Sequence, residues 1–524
     1  MVSPLYDSLS SPNFNQRKAI TSDTRGEAEF LKLNEHNFSA FRRGLPISAL
    51  PVAFQDAISI TMELGIRFIW IDSLCILQGT DASAINDFNQ ECSKMSKIYS
   101  NSHCNIVATF GKNPHDSLFS ERSFENLQIA KASVTWPSTD VKLLQFKGDI
   151  RIFYDGYQAQ DTLNCEASLR GWIMQELFLS PRALYFGRNQ VHWQCKNLEA
   201  CETWPDRSPE PTGLYIPQPE ATHGKVRDHE SLIIKWHELI NRYSGLALTE
   251  PTDRLVALSG IAAVFQSIMR DDYVCGNWRT GLQQSLTWFK GPQRQTDSNI
   301  YSRSDPVVAN SPYTAPSWSW ASFDGPVRLP TWTNASSLSN TRSVSIKTTG
   351  DNPTGRVTAG VITIEAPVWT TTVENYKAVL KHTIPDSFFG YAPHRSAQQR
   401  AIGGFNTVEP AAHTPVVIAA LVSYSRSSEW GSYSKLKSEM IIYQTLRIGS
   451  VVLVHVEGQP GTYRRVGNLF ICFNFPQGHK EEMDTEHAAA SQVLELFGLE
   501  IMDKDALTVT LKDGSTSVQS LRII

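Results

Sequence analysis

The sequence predicts an α/β layer followed by a β-rich C-terminal region, and three observations carry that expectation. Apolar residues recur at three-to-four spacing on either side of a short run rich in β-branched and aromatic residues. A second run of the same kind follows the second helical stretch. Beyond Ser322 the texture changes to Thr, Ser, Val and Gly in short alternating stretches.

The first helix is expected over 51–65, where Phe54, Ala57, Ile58 and Met62 fall on one stripe and Gly65 marks the stop. Arg67-Phe68-Ile69-Trp70-Ile71-Asp72 is short and apolar enough for a buried strand. Ile85, Phe88, Cys92, Met95 and Tyr99 then define a second helix, and Asn105-Ile106-Val107-Ala108-Thr109-Phe110 a second strand. Helix, strand, helix, strand at this spacing implies parallel strands joined by crossovers. A further helix is expected over 171–179, ended by Pro181, and then a hairpin of 183–186 and 190–195 around Gly187-Arg188-Asn189. Helical stretches follow at 228–242 and 253–269, and strands at 357–364, 446–456 and 507–511. The Ser/Thr-rich stretch 334–350 reads as a linker.

The bulk properties narrow the classes. A chain of 524 residues exceeds one ordinary core. With 41% hydrophobic and 19% charged residues the balance is globular. A net charge of -4 and a pI near 6.4 give no electrostatic case for nucleic acid. The longest clean apolar run, 416–422, is far short of the ~20 residues that span a bilayer, and the polar first twenty residues show no signal peptide. Eight scattered cysteines fit reduced thiols in the cytoplasm, not a disulfide framework. No G-x-G-x-x-G, G-x-x-x-x-G-K-[ST] or G-x-S-x-G is present, so dinucleotide-binding, P-loop and esterase-elbow chemistry lack support. His237-Glu238 has no second histidine four residues after the first, and His192 with Cys195 and Cys201 fits no common zinc spacing. No metal site and no cofactor is expected.

Four ordered segments carry a resemblance. The first is Leu50-Pro51 with Phe54-Gln55-Asp56-Ala57-Ile58, running into Gly65-Ile66-Arg67-Phe68-Ile69-Trp70-Ile71-Asp72-Ser73-Leu74-Cys75-Ile76-Leu77-Gln78. The second is Glu91, Met95 and Ile98-Tyr99, followed by Asn101-Ser102; the third is Arg170-Gly171-Trp172-Ile173-Met174-Gln175-Glu176, continuing to Arg182, with Trp193 and Cys195 beyond. The fourth includes Asp253-Arg254-Leu255, Gly276-Asn277-Trp278, Pro316-Ser317-Trp318-Ser319-Trp320 and, more weakly, Tyr463-Arg464-Arg465-Val466-Gly467. Together these resemble the fungal heterokaryon-incompatibility (HET) domain and its downstream region. The strand and turn with which that family opens have no counterpart between Met1 and Leu50. Either that segment is lost or the chain begins downstream of it, and the sheet is left short or filled by another segment.

The resemblance implies a HET core related to Toll/interleukin-receptor-like domains, with a helical extension, followed by the β-rich region. The expected divisions are a poorly ordered lead-in at 1–44, the HET-like domain at 45–200, the helical extension at 201–330 and the β-rich region at 331–524. It implies a role in non-self recognition and regulated cell death, with a protein partner of that pathway and with self-association left open. Some Toll/interleukin-receptor-like domains cleave NAD at its glycosidic bond with a glutamate, so the resemblance implies NAD as a possible substrate of an enzymatic member. An inactive interaction scaffold is the third reading.

Candidate catalytic residues follow from position and expected burial. Asp72 ends a predicted strand, where open α/β sheets gather ligands, although it could equally cap a helix or bond backbone amides. Glu176 lies within an apolar helix, where a carboxylate needs a partner; Arg170 and Arg182 flank it and could lock it structurally instead. Glu91 is the third candidate, from the second helix. Cys75 could be a nucleophile beside a base or a small packed hydrophobe. Trp318 and Trp320 alternate as in a strand, which suits a packed seam or a stacking surface for a planar ligand.

Overall fold

The computed structural model describes residues 18–22, 29–122, 130–136, 146–152, 161–162, 165, 167–208, 229–291, 313–349, 354–381, 400–405, 409–433, 440–476, 480–503, 507–512 and 517–524. The chain divides into two compact units, 1–218 and 219–524.

Unit 1 is an α/β layer. Its sheet has four parallel strands, β1 (Lys18–Ser22), β2 (Phe68–Trp70), β3 (Cys104–Ala108) and β6 (Arg182–Phe186), in the spatial order β2-β1-β3-β6. Between them in the chain lies an antiparallel pair, β4 (Ala130–Trp136) and β5 (Phe146–Ile152), which forms a separate ribbon. Two antiparallel strands, β7 (Val191–Cys195) and β8 (Leu198–Cys201), continue the main sheet as the expected hairpin and one strand more. The stretch expected as an unordered lead-in therefore supplies the strand between β2 and β3. Ala19 lies opposite both Ile69 and Cys104.

Helices cover both faces because the strands alternate. The helices are α1 (Phe38–Arg43), α2 (Val52–Glu63), α3 (Asp72–Cys75), α4 (Ala82–Ser100) and α5 (Gly171–Leu179). Ile106 and Ala108 of β3 and Phe186 of β6 join Phe54, Ala57 and Ile58 of α2 in one core. Their neighbours Val107, Ala183 and Tyr185 point the other way, to Ile173 and Leu177 of α5. On that second face α4 packs on α5 through an edge-to-face contact of Phe88 with Trp172, and Trp70 meets Tyr99 likewise. α4 begins on Asp81, whose side chain accepts from the Ala84 N–H.

Unit 2 joins a helical part to a β-rich part. The helices α6 (His229–Tyr243) and α7 (Ser259–Met269) pack on each other, and short β9 (Tyr273–Val274) and β10 (Asn277–Trp278) complete an aromatic core. Trp236 is fully buried and meets Phe265, Tyr273 and Trp278 edge to face. The main chain turns at Gly276 with φ +88°, and its carbonyl accepts from the indoles of both Trp236 and Trp320. Trp318 and Trp320 are fully buried, and Trp320 opens a 3-10 turn at Trp320–Ser322 rather than lying in a strand. Ser319 caps that turn by accepting from the Ala321 N–H, which bends the chain where alternation would keep it extended. Neither ring offers a free face to a ligand.

After α8 (Leu282–Ser285), β11 (Phe289–Lys290) pairs with β12 (Val327–Arg328). The remaining strands are β13 (Ser336–Ser337), β14 (Asn340–Thr348), β15 (Val357–Thr372), β16 (Arg400–Phe405), β17 (Pro415–Tyr433), β18 (Met440–His455), β19 (Thr462–Pro476), β20 (Leu499–Asp503), β21 (Thr508–Leu511) and β22 (Val518–Ile523). Five of them close on themselves, because β15 pairs with β17 on one side and β22 on the other. Closure removes the exposed edges that such long strands would otherwise present. Val416, Ile418, Leu446, Ile448, Leu469 and Phe473 fill this core with residues from α9 (Val373–Lys381) and α10 (Lys480–Glu495). The Ser/Thr stretch expected as a linker instead forms β13 and β14. Its Val344 and Ile346 alternate with polar residues, so it pairs with β15 as an outer strand.

His237 on α6 is wholly buried between the Pro330 carbonyl and the Ser285 hydroxyl. Burial lowers its pKa to about 4, against a smaller upward pull from the Pro330 carbonyl. The ring is neutral near pH 7 and serves as a fixed donor and acceptor.

Candidate functional site

The carboxyl edge of the unit 1 sheet is where chemistry is best placed. The chain runs from β1 outward to β2, then crosses to β3 on the other side of β1 and on to β6. The order reverses between β1 and β3, and such a switch point opens a crevice at the carboxyl ends of the strands.

Backbone-bound carboxylates hold the loops at this edge. Asp56 of α2 accepts from the Ser117 hydroxyl at 2.6 Å and the Leu118 N–H at 2.9 Å, which ties down the segment after β3. Asp116 accepts from the N–H groups of Lys112 and Asn113 in the same segment. Asp87 of α4 accepts from the Leu77 N–H at 2.8 Å and fixes the chain after α3. Thr109 donates to the Phe186 carbonyl and joins the ends of β3 and β6. Loops pinned in this way form a preset rim.

The three candidate acids occupy distinct places. Asp72 is half-buried at the end of β2, heads α3 and accepts from the Ser73 N–H at 2.6 Å. Glu91 is buried on α4 and takes an ion pair from Lys94 at 2.7 Å, one turn along the same helix. Glu176 is buried on α5; its carbonyl accepts from the Asn105 amide and the Ser180 hydroxyl. Glu91 follows Phe88 by three residues and Glu176 follows Trp172 by four, so each acid is one turn beyond the residue at the α4–α5 contact. Of the arginines flanking Glu176, Arg182 turns to the His103 carbonyl. Cys75, at the end of α3, is half-buried, and none of the eight cysteines is in a disulfide.

A second cluster, which sequence spacing does not reveal, joins Asp161, His192 and Cys201. Cys201 lies opposite His192 across the β7–β8 ladder, and Asp161 stands 3.1 Å from the far ring nitrogen. Burial alone would lower the imidazole pKa, but hydrogen bonds to Asp161 and Cys201, with their charges, raise it overall. The order thiol, imidazole, carboxylate is that of an activated nucleophile with its base and orienting acid. Yet Cys201 is only 5% exposed and His192 1%, which leaves no approach for a substrate. The cluster locks the hairpin to the segment that carries Asp161. Gly187 belongs to the same lock, since a Cβ there would lie 2.7 Å from the Asp161 carboxylate. Among the described residues no group of three or more His, Cys, Asp or Glu could hold a metal ion.

Asp161→Ala is expected to destabilise unit 1 by about 3 kcal/mol, because it strands a buried imidazole. Asp161→Asn, which keeps a hydrogen-bond acceptor, costs less. Urea denaturation of both variants measures the gap, and equal losses would contradict the lock.

Among the described residues no helix is long and apolar enough to cross a membrane. No curated protein and no solved structure matches the chain. Residues 21–176 match the family model described as Heterokaryon incompatibility protein (HET). That match runs from the end of β1 into α5 and takes in Asp72, Glu91, Glu176 and the rim aspartates. Residues 21–176 are therefore a heterokaryon incompatibility (HET) domain.

Proposed function

We propose that the protein acts in fungal non-self recognition and that its HET domain drives regulated death of the cell when that recognition fails. The observation that carries this reading is the family match over 21–176, which takes in β2, β3 and the pinned rim of the parallel sheet. In this role unit 1 is the effector, working in the cytoplasm with a protein partner of the recognition pathway. Unit 2 senses or restrains.

A second reading, that the effector cleaves NAD, is favoured by two features. The strand order β2-β1-β3-β6 provides a ligand crevice, as a Toll/interleukin-receptor-like core would. Glu176 brings a buried carboxylate, the group able to stabilise an oxocarbenium-like ribosyl centre. A scaffold without chemistry is the remaining reading, in keeping with the backbone duties of the rim acids.

The test is induced expression in a fungal host, following viability and cellular NAD for wild type, Glu176→Gln and Asp72→Asn at matched folded levels. Death of wild-type cells supports the effector reading. A fall in NAD that precedes death, slowed by roughly 10²–10⁴-fold in Glu176→Gln, supports cleavage. Death with NAD unchanged rejects cleavage and keeps the effector. Survival with NAD unchanged, when the partner is co-expressed, leaves the scaffold.

A further inference from the structure

Unit 2 contains a cavity of about 510 Å³ walled by Arg464, Arg465, Arg522, Trp288, Tyr313 and Ser317, among others. That volume lies in the range of small-molecule sites, about 300–1,000 Å³. Three guanidinium groups line it and no acidic side chain does. The main-chain oxygen of Ile524, also at the wall, accepts from the Ser317 hydroxyl.

The fold concentrates these charges. β19 supplies Arg464 and Arg465 and β22 supplies Arg522, where the two strands run parallel with Thr462 opposite Arg522. Consecutive residues of a regular strand point to opposite faces. Both arginines nonetheless line the cavity, next to a bulge at Val466 where the pairing of β19 with β18 jumps from Gly467 to Arg465. Arg465 is 3% exposed; its guanidinium lies 3.6 Å from the Trp288 ring centroid and donates to the Trp288 carbonyl. Stacking and hydrogen bond together fix its plane. Arg464 and Arg522 are exposed at the rim and enter no ion pair among the described residues. Arg522 is steadied by the Thr462 hydroxyl at 3.0 Å.

We propose that this cavity binds a small organic phosphate carrying a planar ring, with the arginines on the phosphate and Tyr313 against the ring. Three guanidiniums call for a dianion, which a phosphate supplies and one carboxylate does not. An inorganic phosphate would leave most of the space empty. Tyr313, about half exposed, gives the remaining volume an aromatic wall.

The test is calorimetric titration of the full chain with AMP, ribose 5-phosphate, adenosine and inorganic phosphate. AMP is expected to bind saturably, ribose 5-phosphate about tenfold more weakly, and adenosine not at all at the same concentrations. The double variant Arg464→Ala/Arg522→Ala, both exposed and expected to unfold at the wild-type temperature, should weaken AMP by about 100-fold. Tyr313→Ala should weaken AMP while leaving ribose 5-phosphate unchanged. Failure of AMP to bind, binding of inorganic phosphate alone, or equal affinity in the double variant would each overturn the proposal. None of these outcomes bears on the fungal assay above, which reads residues of unit 1.

Discussion

Gly276→Ala is expected to destabilise unit 2 by about 3 kcal/mol or more, through two independent faults. Its φ of +88° is a conformation that costs an L residue roughly 1–2 kcal/mol. The new Cβ would also lie 2.6 Å from Nε1 and 2.9 Å from Cε2 of Trp320. Trp320 is fully buried and its indole is tied to the Gly276 carbonyl, so it has nowhere to go. Overpacking of this kind costs about 1–3 kcal/mol more. Gly458→Ala separates the two faults, for Gly458 has φ +73° but nothing within 4 Å of the added carbon. Urea denaturation followed by tryptophan fluorescence should place Gly458→Ala near 1 kcal/mol and Gly276→Ala well beyond it. Similar losses in the two variants would remove the clash from the account.

Acid is expected to weaken unit 2 through His237. Unfolded, this imidazole titrates near 6.5; folded, it resists protonation until about pH 4. Between those values the unfolded chain binds more protons, so stability rises with pH. It is therefore lost as pH falls from about 6.5 to 4 and levels off below, an effect of about 3 kcal/mol. Denaturation of wild type and His237→Gln across that window should give a slope in the first and a flatter line in the second. A slope unchanged by the substitution would reject His237 as its source. His192 in unit 1 works in the opposite sense. Its raised pKa gives a stability present below 6.5 and lost as pH rises through the folded value.

Local periodicity made much of this legible. The stripe through Phe54 and Ala57 announced α2, the spacing of Phe88 and Tyr99 announced α4, and the turn at 187–189 announced the β6–β7 hairpin. Candidate acids could be placed on those elements because helix and strand fix which residues share a face. What escaped depended on distant partners. β1 reads Lys-Ala-Ile-Thr-Ser, without the continuous apolar run of a central parallel strand, and it is specified by pairing with residues about 50 and 85 positions away. Asp161 meets His192 across 31 positions, a separation with no local signature. The Trp318-Ser319-Trp320 alternation misled because a serine cap outweighed the extended pattern. The rim aspartates are a subtler case. Asp56 stands in plain view within a family motif, but its work on Ser117 and Leu118 becomes visible only when α2 is set beside the loop after β3.

The place of β1 also sets a timetable. As the chain leaves the ribosome, Lys18–Ser22 emerges first among the described strands, yet its two flanking partners arrive only with residues 68–70 and 104–108. These five residues, flanked on both sides in the finished sheet, must therefore wait, and no pair of early neighbours can hold them. Contacts of such long sequence separation slow folding, since the loop must close before pairing repays it. A nascent chain halted before residue 104 has a single partner for β1 and no second face to bury. The layer is thus committed late: a strand made early waits to be enclosed until β3 has been made, and assembly is tied to synthesis of much of unit 1.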